Sequence, residues 1–292
     1  MQRDGQAHSR RTHLLLPRTS LPSALRNPLL EDLTRIAIAA GDCIMDIYAR
    51  DFSIAEKDDN SPVTEADDAA EAIILAGLAA AAPDIPTISE EAAAAGHVPD
   101  FDTTFFLVDP LDGTREFIKR NGEFTVNIAL IEHGQPVAGV VHAPAISKLY
   151  RGAAGEGADE IEIASQSRGG PDARLAAVRA IRTRAAPADG LVAIASRSHR
   201  DAKTEEFLSH YNVRDIMVAG SSLKFCVVAR GDADIYPRHG RTMEWDTAAG
   251  HAVLAAAGGT VTRLDGTPLT YGKSADGLAN PFFVAKGDSA AR

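Results

Sequence analysis

Leu33, Ile36, Ala40, Ile44 and Ile47 recur at spacings of three and four, which predicts an amphipathic helix over residues 29–48. A polar stretch, 56–62, separates it from a second predicted helix running from Thr64 to about Ala82, where Pro83 stops it. Phe105-Phe106-Leu107-Val108 is short and wholly apolar, a strand pattern. From Phe124, apolar Val126, Ile128 and Leu130 alternate with Thr125, Asn127 and Ala129, predicting a strand buried on one face. His133-Gly134-Gln135-Pro136 turns the chain into a return strand over 137–141, an antiparallel meander. Residues 159–190 mix charges and glycines without a period, and read as a linker or a variable insertion.

Beyond residue 190 the pattern changes. Strands over 191–195, 215–219 and 233–236 are each followed by a helix, the second starting near Ser221 and the third at Asp246. Gly258-Gly259 closes that last helix, and Asp265-Gly266 makes a hairpin turn. No internal repeat is present. The expected organisation is an α+β lobe over 28–158 and an α/β lobe over 191–292, with a cleft between them.

Hydrophobic residues make up 45% of the 292 and charged residues 24%, the balance of a soluble globular protein. The formal net charge of −10 argues against a nucleic-acid polymer as partner, because that binding needs a basic surface. A small phosphorylated substrate fits if divalent cations neutralise both it and the site. The two cysteines, Cys43 and Cys226, stand far apart in apolar stretches and read as buried thiols of a reducing cytoplasm. No apolar run approaches the roughly 18 residues of a membrane span. Residues 1–27 carry Arg3, Arg10, Arg11, Arg18 and Arg26 against one acid, Asp4. They are expected to lie outside the fold as a disordered or extraneous extension, the alternative being a weak tether to anionic lipid.

The candidate chemistry lies in carboxylates. Asp109-Pro110-Leu111-Asp112-Gly113-Thr114 stands where an apolar strand ends. Pro110 fixes one dihedral and Gly113 permits a tight turn, so Asp109 and Asp112 can converge on one side. Two carboxylates forced together stay ionised mainly when a cation sits between them. Thr114 adds a hydroxyl at a predicted helix start, a place suited to anions. A turn with solvated acids is the plainer reading of this hexapeptide alone. Two further clusters accompany it: Ser89-Glu90-Glu91, after a short strand over 85–88, and Trp245-Asp246-Thr247-Ala248-Ala249-Gly250. Asp246 alone also suits a helix cap, and Asp67 a capping box with Thr64.

In this order the segments resemble the inositol monophosphatase superfamily, lithium-sensitive phosphatases that need magnesium. The finer resemblance is to its 3′(2′),5′-bisphosphate nucleotidase branch, the CysQ type. It rests on Asp59-Asn60-Ser61-Pro62-Val63-Thr64, the run from Arg115 to Thr125, Ser196-Arg197-Ser198-His199 and Gly220-Ser221-Ser222-Leu223-Lys224-Phe225. The resemblance implies a sugar-phosphatase fold, a layered α/β and α+β sandwich alternating α-β-α-β-α. It implies that Glu90, Asp109, the Leu111 carbonyl, Asp112 and Asp246 hold two or three Mg²⁺ ions, and that Asp67, with Thr114 as partner, polarises the attacking water. Gly113 and Thr114 would add phosphate-binding groups. The all-oxygen donor set, without a Cys or His cluster, independently favours hard Mg²⁺ over zinc. The implied reaction removes the 3′-phosphate of adenosine 3′,5′-bisphosphate, a by-product of sulfate activation.

Ser196 and His199 follow a strand of the second lobe, where ligand loops of α/β sheets lie, and are expected to contact the nucleoside. Gly220 and Lys224 open the next helix, with Lys224 in reach of phosphate or ribose. The basic loop Arg238-His239-Gly240-Arg241 suits the 5′-phosphate or a solvated surface. An inositol or sugar phosphatase would share the same metal site, and a non-catalytic nucleotide sensor would keep the fold without needing Asp67 and Thr114 as a pair. The expected setting is a cytoplasmic monomer or homodimer without a transmembrane segment, a loose peripheral contact with the inner membrane being left open.

Overall fold

The computed structural model describes residues 23–57, 62–164, 174–196 and 202–287, with side chains from residue 28 onward and Ser196 by its backbone alone. Asp59, Asn60, Ser61, Arg197, Ser198 and His199 lie outside the described residues.

The periodic segments at the start form two packed helices, α1 (Ser23–Tyr48) and α2 (Glu65–Ala81). Helix α1 begins six residues ahead of its apolar stripe, inside the segment expected to stand outside the fold. Thr64 caps α2: its hydroxyl accepts from the Ala66 N–H while Asp67 accepts from the Thr64 N–H. Between the helices, β1 (Ile54–Glu56) and β2 (Pro62–Thr64) pair antiparallel at the two ends of the expected polar loop.

A seven-stranded sheet follows, in the order β3-β4-β5-β6-β7-β8-β9. Its members are β3 (Thr87–Ser89), β4 (Thr104–Asp112), β5 (Thr125–Glu132), β6 (Gln135–Ala143), β7 (Lys148–Ala153), β8 (Gly157–Ile163) and β9 (Leu175–Ile181). Strand β3 runs parallel to β4; the others pair antiparallel with their neighbours. Strand β5 is buried along its whole length, not on one face as its alternation suggests. Its two faces meet different helices, so the polar members of the pattern face a second protein layer rather than water. The aperiodic stretch 159–190 supplies the end of β8 and all of β9. Strand β9 is an exposed edge, where no burial imposes a hydrophobic period.

The C-terminal part builds a five-stranded sheet in the order β11-β10-β12-β14-β13, from β10 (Leu191–Ser196), β11 (Val213–Ala219), β12 (Ile235–Arg238), β13 (Thr260–Arg263) and β14 (Phe283–Lys286). Two short helices, α3 (Glu90–Ala94) and α4 (Thr114–Ile118), sit at the ends of β3 and β4. The remaining helices are α5 (Ala202–Ser209), α6 (Leu223–Ala229) and α7 (Glu244–Ala256).

The core divides by layer. Leu33, Ile44, Ile74 and Leu78 of α1 and α2 pack on Phe106, Val126, Ile128 and Val140, one face of the large sheet. Phe105, Leu107, Ala129 and Ile131 of the other face pack with Phe225, Val253 and Leu254 of α6 and α7. Those helices also cover Ile194, Tyr236 and Phe283 of the small sheet, whose far face meets Leu208 of α5. The order is therefore α1α2, seven strands, α6α7, five strands, α5: the five alternating layers expected. Helix α7 lies very close to β6. A Cβ at Gly139 would stand 2.7 Å from the Ala249 carbonyl oxygen, so only glycine fits there.

Candidate active site

Strand pairing brings the first carboxylates together. Ser89 lies beside Val108 in the parallel β3–β4 pair, so Glu90 and Asp109 leave the sheet at the same end. Asp109 pairs with Asn127 and Asp112 with Thr125, so three steps along β4 match two along β5. In a regular strand Asp109 and Asp112 would face opposite sides; this β-bulge at Pro110-Leu111 returns both to one face. The expected convergence is thus achieved by a bulge within a strand rather than by a free turn. Gly113, at φ +96, then starts α4, and a Cβ on it would lie 2.3 Å from the Ser221 hydroxyl.

Asp246 arrives from the first turn of α7, which begins at Glu244, two residues earlier than expected. Carboxylate oxygens of Glu90, Asp109 and Asp246 all lie within 4.8 Å of one another. Burial, then Glu90, Asp112 and Asp246, push the Asp109 carboxyl well above the usual carboxylate range. Burial together with Asp112 and Glu90 does the same to Asp246. Asp112 rises to about 6, mainly through burial, which Lys224 and Ser222 partly offset. Such crowding is tolerated when a cation neutralises it, and an all-oxygen donor set fits a hard divalent ion. Asp112 stands beside this trio, with one oxygen held by the Ser222 hydroxyl at 3.1 Å.

Asp67 combines both roles considered for it. Its Oδ2 accepts from the Thr64 N–H and hydroxyl, each at 2.8 Å, as a helix cap. Its Oδ1 accepts from the Thr114 hydroxyl at 3.2 Å, across the gap to α4. The same hydroxyl stands 3.4 Å from the Leu111 carbonyl oxygen. Burial raises the Asp67 carboxyl to about 6 against the lowering effect of Thr64. Lys57, not anticipated from the sequence, bridges Glu90 and Glu91 at 2.7 Å each. Burial disfavours its ammonium, but the two glutamates outweigh that and hold its proton firmly.

A cavity of about 500 Å³ opens over these groups. Its lining includes Glu90, Asp112, Gly113, Thr114 and Asp246 together with Gly220, Lys224, Tyr236, Arg238 and Arg241. Lys224 is buried, donating to the carbonyls of Ser221 at 2.6 Å and Ala219 at 3.4 Å. That burial lowers its ammonium to about 8, although Asp112 pulls the other way. Within the basic loop, Arg238 and Arg241 line the cavity, whereas His239 is buried between the Phe207 and Phe282 rings. Ser196 ends β10, and His199 belongs to the residues not described. Asn127 and Ser222 were not singled out from the sequence; their tie to Asp112 depends on the bulge register, which composition does not reveal.

The model of the inositol monophosphatase family matches residues 26–289 of the chain. The chain belongs to the inositol monophosphatase family. Within this family, 3′(2′),5′-bisphosphate nucleotidase CysQ of Escherichia coli O157:H7 is 45% identical over 258 residues, covering 87% of this chain and 98% of that protein. The protein of the same name from Salmonella typhimurium is also 45% identical over 258 residues, with the same coverage. Among solved family structures, CysQ from Bacteroides thetaiotaomicron superposes with a TM-score of 0.74 at 38% identity, covering 89% of this chain and 97% of that one. Inositol monophosphatase from Anabaena gives 0.69 at 28% identity, covering 90% and 92%.

Proposed function

We propose that this member of the family is a Mg²⁺-dependent 3′(2′),5′-bisphosphate nucleotidase that hydrolyses adenosine 3′,5′-bisphosphate to AMP and phosphate. The reading rests on one observation: Glu90 and Asp246 of the carboxylate cluster and Thr114, the partner of Asp67, line the same cavity as a buried lysine and two arginines. An ester carrying two phosphates on one ribose has a use for both the carboxylates and the basic groups. The 45% identity to proteins named for this activity, over nearly their whole length, supports the same substrate.

Glu90, Asp109, Asp112, Asp246 and the Leu111 carbonyl would hold two or three Mg²⁺ ions. Bound there, Mg²⁺ lowers the pKa of a coordinated water and neutralises charge on the phosphate oxygens. The chain's own residues supply the rest. Asp67 has Oδ2 committed to Thr64, which leaves Oδ1, through the Thr114 hydroxyl, to orient the attacking water and take its proton. The backbone N–H groups of Gly113 and Thr114, at the start of α4, have no helical carbonyl to bond and serve the phosphate oxygens. Lys224, Arg238 and Arg241 serve the second phosphate, with Ser196, His199 and Gly220 toward the nucleoside. A non-catalytic sensor would not need the Asp67–Thr114 pair.

Phosphate release should be measured on adenosine 3′,5′-bisphosphate, inositol 1-phosphate and fructose 1,6-bisphosphate, with Mg²⁺ and with chelator. The expected outcome is Mg²⁺-dependent turnover with kcat/KM highest on the nucleotide, suppressed by LiCl but not by equal NaCl. A preference for inositol 1-phosphate would move the chain to another branch of the family. Tight nucleotide binding without release would make it a sensor.

A further inference from the structure

Ser222 belongs to the turn that delivers Gly220 and Lys224 to the cavity, yet it is not among the residues that line it. It is 1% exposed. Its hydroxyl lies 3.1 Å from Asp112 Oδ2 and 2.8 Å from the Asp246 carbonyl oxygen. Asn127 of β5 donates from Nδ2 to that hydroxyl at 2.9 Å and lies 3.4 Å from the same Asp112 oxygen. Thr125 in turn donates to Asn127 Oδ1 at 3.2 Å, which leaves the amide nitrogen facing Ser222 and Asp112. The neighbouring Ser221, at φ +49, ties the turn down further by bonding the carbonyls of Asp112 at 2.8 Å and Glu123 at 2.9 Å.

A serine hydroxyl has one proton and two lone pairs. With Asn127 donating into one lone pair, the single Ser222 proton is shared between Asp112 and the Asp246 carbonyl. Two neighbouring strands of the large sheet, β4 and β5, and helix α7 of the next layer are thereby joined through one buried oxygen. Asp112 Oδ2 is thus held by two protein side chains. We infer that Ser222 and Asn127 are positioning residues: they fix the Asp112 carboxylate at the metal site. This rests on the cation-binding reading above. Neither residue lines the cavity, so the effect is on metal affinity and on kcat rather than on nucleotide binding.

The test is calorimetric titration of Mg²⁺ into chelator-treated protein without substrate, for wild type, Ser222→Ala, Ser222→Thr, Asn127→Ala and the double alanine variant. Loss of a group that orients a metal ligand weakens metal binding by about tenfold or more. Ser222→Ala should therefore bind Mg²⁺ about tenfold more weakly while remaining folded, and Ser222→Thr should recover most of the loss by keeping the hydroxyl. At saturating Mg²⁺, KM for the bisphosphate should stay within about threefold of wild type while kcat falls. The double variant should lose less than the sum of the singles, since both act on one oxygen. If Ser222→Ala does not fold, Asn127→Ala carries the same comparison. Wild-type Mg²⁺ affinity in the alanine variants overturns this inference alone. A wild type that binds no Mg²⁺ overturns the cation reading and this inference with it.

Discussion

At the scale of single residues, Asp112 separates charge from shape. Asparagine there keeps the contacts to Ser222 and Asn127 within reach but removes a charge that the cation cluster uses. The Asp112→Asn variant should keep the fold and lose at least about 10²-fold in kcat, as when a main electrostatic stabiliser is removed. Near-normal turnover at saturating Mg²⁺ would remove Asp112 from the metal assignment. Lys224 makes a second residue-scale case, because burial lowers its ammonium to about 8. Its charge, and with it the proposed pull on the second phosphate, should therefore be lost as pH rises from 7 to 9. KM for the bisphosphate should climb across that range. In Lys224→Met it should be about tenfold higher at pH 7 and lack that titration, since a bond to a charged group is worth roughly 1.5–3 kcal/mol. Hydrolysis of a simple one-phosphate ester should change little. Most residues of the proposed site were legible in the sequence because Glu90, the Asp109–Thr114 run and Asp246 sit at element ends, where patterns change. Lys57, Asn127 and Ser222 were not, because nothing local distinguishes a buried asparagine of a strand from any other polar alternation.

The elements tell the same story one level up. Helix α1 announces itself by period, α2 by its stop at Pro83, α7 by its close at Gly258-Gly259, and β4 by its apolar run. Strand β5 was found but misjudged in burial, since alternation records polarity and not what covers each face. Strand β9 left no period because it is an exposed edge. The β4 bulge was legible only as Asp-Pro-Leu-Asp-Gly, its geometry being set by pairing with β5. The β6–α7 contact offers a direct test of how packing sets the site. Replacing a strand glycine with alanine ordinarily stabilises by a fraction of a kcal/mol. At Gly139 the new Cβ would meet backbone, 2.7 Å from the Ala249 oxygen and 3.0 Å from its Cα, and α7 would have to retreat. Gly139→Ala should cost about 1–3 kcal/mol, read from denaturant midpoints. Because α7 carries Asp246, Mg²⁺ affinity should fall with it. Unchanged stability would mean that the helix shifts freely on the sheet.

For the molecule as a whole, the carboxylates proposed to hold the cation burden the protein without one. Asp67 and Asp112 are raised to about 6, and Asp109 and Asp246 lie above their ordinary range as well. In the unfolded chain such groups lose their protons near 3.9. Between about pH 4 and 6 the folded state thus holds more protons than the unfolded one, and their contribution to stability falls as pH rises. A cation reverses that loss where the groups are ionised. The rise in Tm on adding Mg²⁺ should be small at pH 5 and much larger at pH 7.5, as thermal melts can measure. An increment that stays flat across this range would argue against a carboxylate-held ion.

One feature of the layering reaches beyond catalysis. Helices α6 and α7 are packed between the two sheets, and the short connection from β9 to β10 passes from one sheet to the other. Cut there, the N-terminal fragment would leave the Phe105, Leu107 and Ile131 face of its sheet bare, and the C-terminal fragment would leave Phe225 and Val253 bare. Neither piece can bury its own apolar surface, so neither should be recovered in folded form when expressed alone. Co-expressed, they should reassemble and regain phosphatase activity. The chain is then a natural split enzyme, whose activity reports whether two fused partners have been brought together.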